Sequence, residues 1–165
     1  MATIHEGGAA DIERVKTFYA SLRRIPDAEP DDFILLAEND DRNIVAAVRL
    51  CLEGGYLILR GMLIAHAYRR QGLGKQMLRV LEPHMSGQDC YCLPFAHLET
   101  FYGTVGFETV DDAHLSDFFR ERLAKYQQGL SDPEIQRLMQ ADLGVYPPEG
   151  LSFILMKRPK GKIVL

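Results

Sequence analysis

At 165 residues the chain has the length of one domain and enough apolar material to build its own core. With 47% hydrophobic and 25% charged residues it reads as an ordinary globular protein, and its net charge of −4 excludes broad electrostatic binding to nucleic acid. No apolar run approaches the roughly 20 residues needed to span a bilayer, and three cysteines without a leader pattern predict a reducing, cytoplasmic setting.

A short opening strand over Thr3 to His5 leads into a helix from Asp11 to Leu22, where Ile12, Val15, Phe18, Tyr19 and Leu22 recur every three or four residues. Pro26 and Pro30 close it. Phe33 to Ala37 reads as a strand, Asn39 to Asn43 as a turn and Ile44 to Leu52 as the hairpin partner. Gly54 and Gly55 turn the chain into a fourth strand, Tyr56 to Ala65, and a helix from Gly72 to Met85 buries Leu73, Met77, Leu78 and Leu81. Cys90 to Leu93 is a short strand whose two thiols share a face, as buried free cysteines would, with no His/Cys spacing for a metal. Pro94 opens a helix to Val105, and Gly106 to Val110 is a strand.

Residues 111–150 carry two helical patterns, Leu115 to Tyr126 and Ile135 to Leu143, the second opened by a capping box over Ser131 to Glu134. Their apolar faces must be buried: against the flank of the domain, as a lid or wall over a substrate site, or between two copies in a homodimer. Leu151 to Met156 is the closing strand, and the chain from Arg158 onward is a tail. The whole is a single α/β domain, 1–165, with 111–150 as a helical insertion.

The most informative stretch is Ile64 to Leu78, where a strand ends in a basic, glycine-containing turn that opens into an amphipathic helix. Gly72 and Gly74 let the backbone approach a ligand, and the unpaired N–H groups of the first helical turn, with Arg69, Arg70 and Lys75, offer positive charge to an anion. A phosphorylated cofactor is the natural guest. The run reads Arg69-x-x-Gly72-x-Gly74, neither the Walker pattern nor the dinucleotide fingerprint.

Arg-x-x-Gly-x-Gly after a strand resembles the acyl-CoA loop of the GNAT superfamily of acyl-CoA-dependent N-acyltransferases. Phe101-Tyr-Gly-Thr-Val-Gly-Phe107, about thirty residues on, resembles its second signature. The resemblance implies a mixed, mostly antiparallel central sheet flanked by helices, with a V-shaped split between strands 4 and 5. It implies acetyl-CoA as acyl-donor cosubstrate, its pantetheine arm on the backbone of Met62, Leu63 and Ile64, and its pyrophosphate on Arg69, Arg70, Gln71, Gly72, Leu73, Gly74 and Lys75. It makes Tyr102 the catalytic acid that protonates the leaving CoA thiolate after an amine attacks the thioester.

Two positions depart from the family pattern. Phe95 stands where an asparagine commonly contacts the cofactor, and Ile58 and Arg60 stand where the fourth strand often offers an acidic or imidazole base. His66, His97 and Glu99 are base candidates by chemistry alone. Strand alternation places Arg60 on one face with Ile58, Met62 and Ile64, where its guanidinium could clamp an acceptor carboxylate or pair internally with Glu53. The leading expectation is an N-acetyltransferase acting in a ternary complex on a primary amine of a small molecule, amino acid or peptide. The alternative is a non-catalytic acyl-CoA-binding regulatory module.

Overall fold

The computed structural model describes residues 1–164. They form two compact units, one of residues 1–90 with 159–162, the other of residues 91–158 with 163 and 164.

In the first unit β1 (Thr3–Glu6), β2 (Phe33–Glu38), β3 (Ile44–Glu53) and β4 (Tyr56–Ile64) pair antiparallel in chain order. The register sets His5 beside Leu36, Leu36 beside Ala47 and Ala47 beside Leu63, so one face of the sheet is defined by these residues with Ile34. Helix α1 (Ile12–Ser21) packs Ile12, Val15, Phe18 and Tyr19 onto that face. Helix α2 (Leu73–Met85) buries Leu73, Met77, Leu78, Leu81 and Met85, and its His84 stacks on Phe33, one residue out of phase with Ile34, with ring centroids 4.2 Å apart. Each fully buried aliphatic side chain contributes about 1.5–3 kcal/mol. β2 and β3 read as nearly unbroken apolar runs because helices cover both of their faces.

One irregularity reorganises β4. Up to Arg60 opposite Arg49 the two strands run in step, but the next paired residues are Leu63 and Ala47, so β4 carries one extra residue. Gly61, at φ +64°, sits in this bulge. Arg60 therefore shares its face with Ile58 and Leu63, and not with Met62 and Ile64 as unbroken alternation predicts. The slip carries Leu63 into the cluster under α1.

The second unit holds β5 (Cys90–Cys92, starting at the unit boundary), α3 (Glu99–Gly103), β6 (Glu108–Thr109), α4 (Asp117–Gly129), α5 (Pro133–Leu143) and β7 (Met156–Arg158). β6 and β7 pair antiparallel. The helix expected from Pro94 begins only at Glu99, after a single 3-10 turn over Ala96–Leu98. The closing strand is displaced toward the C-terminus. Leu151 to Leu155 makes one bridge, Phe95 with Phe153, with main-chain bonds Ala96 N to Ser152 O at 2.8 Å and Ile154 N to Pro94 O at 3.0 Å. Pro94 has no N–H to return, so no continuous ladder forms there. Arg158, the expected start of the tail, is wholly buried at the end of β7 with its Nε on the Val105 carbonyl at 2.7 Å.

The cap of α5 is also different: Asp132 accepts from the Glu134 N–H at 2.9 Å, while the Ser131 hydroxyl turns back to the Gln128 carbonyl. α5 has no buried residue, and while Met139 and Leu143 are half-buried, Ile135 and Leu138 each stay 45% exposed, so its apolar face is only partly covered among the described residues. Two glutamines attach the helical segment instead. Gln127 accepts from Phe153 N and donates to Leu151 O, and Gln136 accepts from Leu151 N at 2.7 Å and donates to Leu130 O at 3.1 Å.

Candidate active site

The strand-to-helix turn is built as its sequence predicts. After β4 a 3-10 turn over His66–Tyr68 leads to Arg69, Arg70 adopts a left-handed φ of +61°, and Gly72, at φ +81°, is the N-cap of α2. The first bond of the helix is Gln76 N to Gly72 O at 3.0 Å, which leaves the N–H groups of Leu73, Gly74 and Lys75 ahead of the ladder. A Cβ on Gly72 would meet nothing within 4 Å, so that residue is required by its φ while the space above the turn stays open.

The two arginines play different parts. Arg69 donates from Nε to the Ile64 carbonyl at 2.8 Å and lies 3.3 Å from His66 Nδ1, so it braces the turn. Gln71 braces it too, donating to the Ala67 carbonyl at 2.9 Å. Arg70 and Lys75 form no ion pair or side-chain hydrogen bond among the described residues. These two cations thus stand beside open N–H groups at the start of a 13-residue helix, an arrangement whose charge and donors are complementary to an anion.

Tyr102 lies on α3 in the second unit. Its residue is 5% exposed, and its ring meets Phe101 and Phe107 edge-on at 5.0 and 6.0 Å. The hydroxyl takes no hydrogen-bond partner among the described residues. No fully buried side-chain oxygen or nitrogen among them lacks one, so the phenol oxygen keeps contact with accessible surface. Burial of the ring, and secondarily the Cys92 sulfur, raises its pKa well above the usual tyrosine value.

The base candidates differ in occupation. Glu99 accepts from the Thr109 hydroxyl at 2.6 Å, which ties α3 to β6, and His66 is engaged with Arg69. His97 stacks on Phe95 at 5.8 Å and is held below its ordinary pKa by burial, so it is neutral near pH 7. It lines a hollow of about 270 Å³ with Glu149, Leu151 and Ser152. Phe95 itself stacks on Phe153 at 4.5 Å.

Arg60 is answered from inside the protein. Its guanidinium contacts Glu53 and Asp27, each at 2.9 Å, and the other Asp27 oxygen holds Arg49 at 2.6 Å. Arg49 is 2% exposed and also reaches Asp32 at 2.8 Å, so five charged residues form one network between β3, β4 and the loop after α1. Asp27, Asp32 and Arg49 escape a sequence reading because they meet only through the α1-to-β2 loop. Gly61 gives a local signal, a lone glycine inside a strand pattern.

An α/β protein whose fourth strand runs through a basic, glycine-capped turn into a helix is the class that these features define. Residues 30–109 match the family described as an acetyltransferase (GNAT) domain. Escherichia coli ElaA is similar over 96% of this chain and 99% of its own, with 16% identity and a TM-score of 0.61. The ribosomal-protein-S18-alanine N-acetyltransferase of the same organism is similar over 99% of this chain and 96% of its own, with 14% identity and a TM-score of 0.58. N-acetylglutamate synthase from Neisseria gonorrhoeae, in complex with coenzyme A and N-acetyl-glutamate, is similar over 98% of this chain and 36% of its own, with 11% identity and a TM-score of 0.62. The comparison with curated proteins returned no match. The matched residues are just under half of the chain, and over its length the likeness is one of fold: a mixed α/β fold of the GNAT type, with a two-helix segment before the last strand. Among the described residues no helix is long and apolar enough to cross a membrane, and no group of His, Cys, Asp and Glu could hold a metal ion.

Proposed function

We propose that this chain is an acetyl-CoA-dependent N-acetyltransferase that modifies a primary amine of a small molecule, amino acid or peptide by direct attack in a ternary complex. The observation that carries this is the pair of uncommitted cations, Arg70 and Lys75, beside the open N–H groups that begin α2. In this reading residues 69–75 hold the pyrophosphate, with Arg69 bracing the turn, and the main chain of Met62 to Ile64 receives the pantetheine arm. Tyr102 donates its proton to the departing thiolate; burial keeps the phenol protonated ahead of that step, and its oxygen reaches accessible surface. The acceptor amine arrives neutral or loses its proton to water, since Ile58 and Arg60 offer no base. A carboxylate clamp by Arg60 requires an acceptor to displace Glu53 or Asp27, so the geometry favours its internal pairing.

The chain acts as one domain in a reducing cytoplasm, where its three buried thiols stay free. A second reading, an acyl-CoA-binding module without chemistry, draws on the absent base. Calorimetric titration with acetyl-CoA and with free CoA, followed by an amine screen with thiol-release detection, tests both. Micromolar binding with turnover of an amine supports the enzyme, binding without turnover of any amine supports the module, and no binding of either ligand overturns both.

A further inference from the structure

The β4 bulge decides which backbone groups the strand presents. Gly54 and Gly55, at φ +57° and +83°, form a two-residue hairpin turn that makes Glu53 and Tyr56 the closing hydrogen-bonded pair. By alternation the main-chain groups of Tyr56, Ile58 and Arg60 then face β3. Past the bulge the Ala65 N–H donates to the Val45 carbonyl at 2.8 Å, so Leu63 and Ala65 face β3, and Met62 and Ile64 face the opposite edge. Without the extra residue Met62 and Ile64 would turn toward β3 and Leu63 would leave the core.

A single side chain grips that bulge. The Tyr19 hydroxyl, from α1, donates to the Gly61 carbonyl at 2.9 Å and accepts from Arg49 Nε at 3.4 Å. The Arg49 guanidinium also lies 5.4 Å from the Tyr19 ring centroid and is itself fixed by Asp27 and Asp32. The fit is close: a Cβ on Gly61 would lie 2.4 Å from the Tyr19 oxygen. A phenylalanine would fill the same apolar site under β3 and β4, so packing does not account for the hydroxyl.

We infer that Tyr19 is a positioning residue, whose hydrogen bond to the Gly61 carbonyl holds the bulge that turns the main chain of Met62 and Ile64 to the outer edge of β4, where the acyl-CoA arm docks. The docking consequence rests on the function proposed above; the grip on the bulge does not.

Tyr19→Phe tests it with two readouts. Amide hydrogen exchange at Leu63 and Ala65 should quicken roughly five- to tenfold, the scale of one lost hydrogen bond, while Ile58 on the hairpin side stays as in the wild type. Calorimetry should show CoA binding weakened by a similar factor and binding of ADP, which carries the diphosphate without the arm, unchanged. Unaltered exchange at Leu63 and Ala65 overturns the inference, as does equal weakening for CoA and ADP. Altered exchange in a protein whose wild type binds no CoA upholds the grip on the bulge and overturns the docking reading. If Tyr19→Phe does not fold, Arg49→Lys, which keeps a cation among the carboxylates and removes the Nε donor, is read in the same way with an expected change of about twofold.

Discussion

Arg69 Nε donates to the Ile64 carbonyl across 2.8 Å, so the turn that enters α2 is tied to the last residue of the strand that delivers it. Its neighbour Arg70 has no such tie. Replacing each by alanine should separate brace from ligand. Arg70→Ala and Lys75→Ala should each weaken CoA binding roughly five- to tenfold, an effect that shrinks as salt is raised, with Tm unchanged. Arg69→Ala should weaken binding and also lower Tm by about 2–4 °C, the shift expected for loss of about 1 kcal/mol in a domain of this size. Calorimetry at two ionic strengths beside thermal unfolding makes the distinction.

The Arg49 network predicts unequal costs for two arginines that share one aspartate. The Arg49 side chain is 3% exposed and holds Asp27 and Asp32, the latter 9% exposed, so removing it strands carboxylates that cannot fully rehydrate. Arg49→Met should cost about 3–5 kcal/mol. The Arg60 side chain is 23% exposed and its partners Asp27 and Glu53 are 30% and 28% exposed, so solvent screens both pairs. Arg60→Met should cost about 1 kcal/mol or less. Urea unfolding of the two variants reads the difference, and equal costs would contradict the network as described.

What could be read from the chain alone follows from the range of the signals. α1 and α2 are legible because the spacing of Val15, Phe18 and Tyr19, or of Met77, Leu78 and Leu81, is a local consequence of the helical repeat. The turn into α2 is legible for the same reason: Arg70, Gly72 and Lys75 lie within six residues, and the left-handed N-cap needs its glycine at that point. β7 is not, since the pairing of Leu151 to Leu155 is set by Pro94 and Gln127, residues far away in the chain. The bulge turns on a hydroxyl 42 residues from its carbonyl. Arg158 carries no local sign of its place in β7, and only the fold shows the Val105 carbonyl that receives it.

Gln136 is a polar attachment of α5, a helix with no buried residue. Its amide accepts from Leu151 N and donates to Leu130 O, two opposite roles that a carboxylate cannot fill together. Gln136→Glu should destabilise the segment by about 1–2 kcal/mol at neutral pH, where a carboxylate oxygen faces the Leu130 carbonyl. Below the ordinary glutamate pKa of about 4.3 the protonated acid can donate again, so the loss relative to wild type should shrink as pH falls. Limited proteolysis between residues 130 and 150, at pH 7 and pH 4, follows it with an acid-active and a neutral protease; a loss that does not change with pH would remove the donor argument.

Tyr102 closes the set because its hydroxyl can be deleted without disturbing a hydrogen bond. Tyr102→Phe should leave Tm and the KM for acetyl-CoA close to wild type and lower kcat by about two orders of magnitude, the lower end of what a positioned acid contributes. Its raised pKa fixes the sign of the pH effect. The acid works in its protonated form, and burial favours that form, so the alkaline limb of the kcat profile below pH 10 does not arise from Tyr102. The same preference stabilises the folded chain in full below the unfolded tyrosine value of about 10 and is lost as pH climbs from there through the raised folded value. Tyr102→Phe should therefore also blunt the fall in Tm between pH 10 and 11.5. Phenolate absorbance near 295 nm in the folded wild type checks the assignment directly: a Tyr102 phenolate forming below pH 10 would end its candidacy as the proton donor.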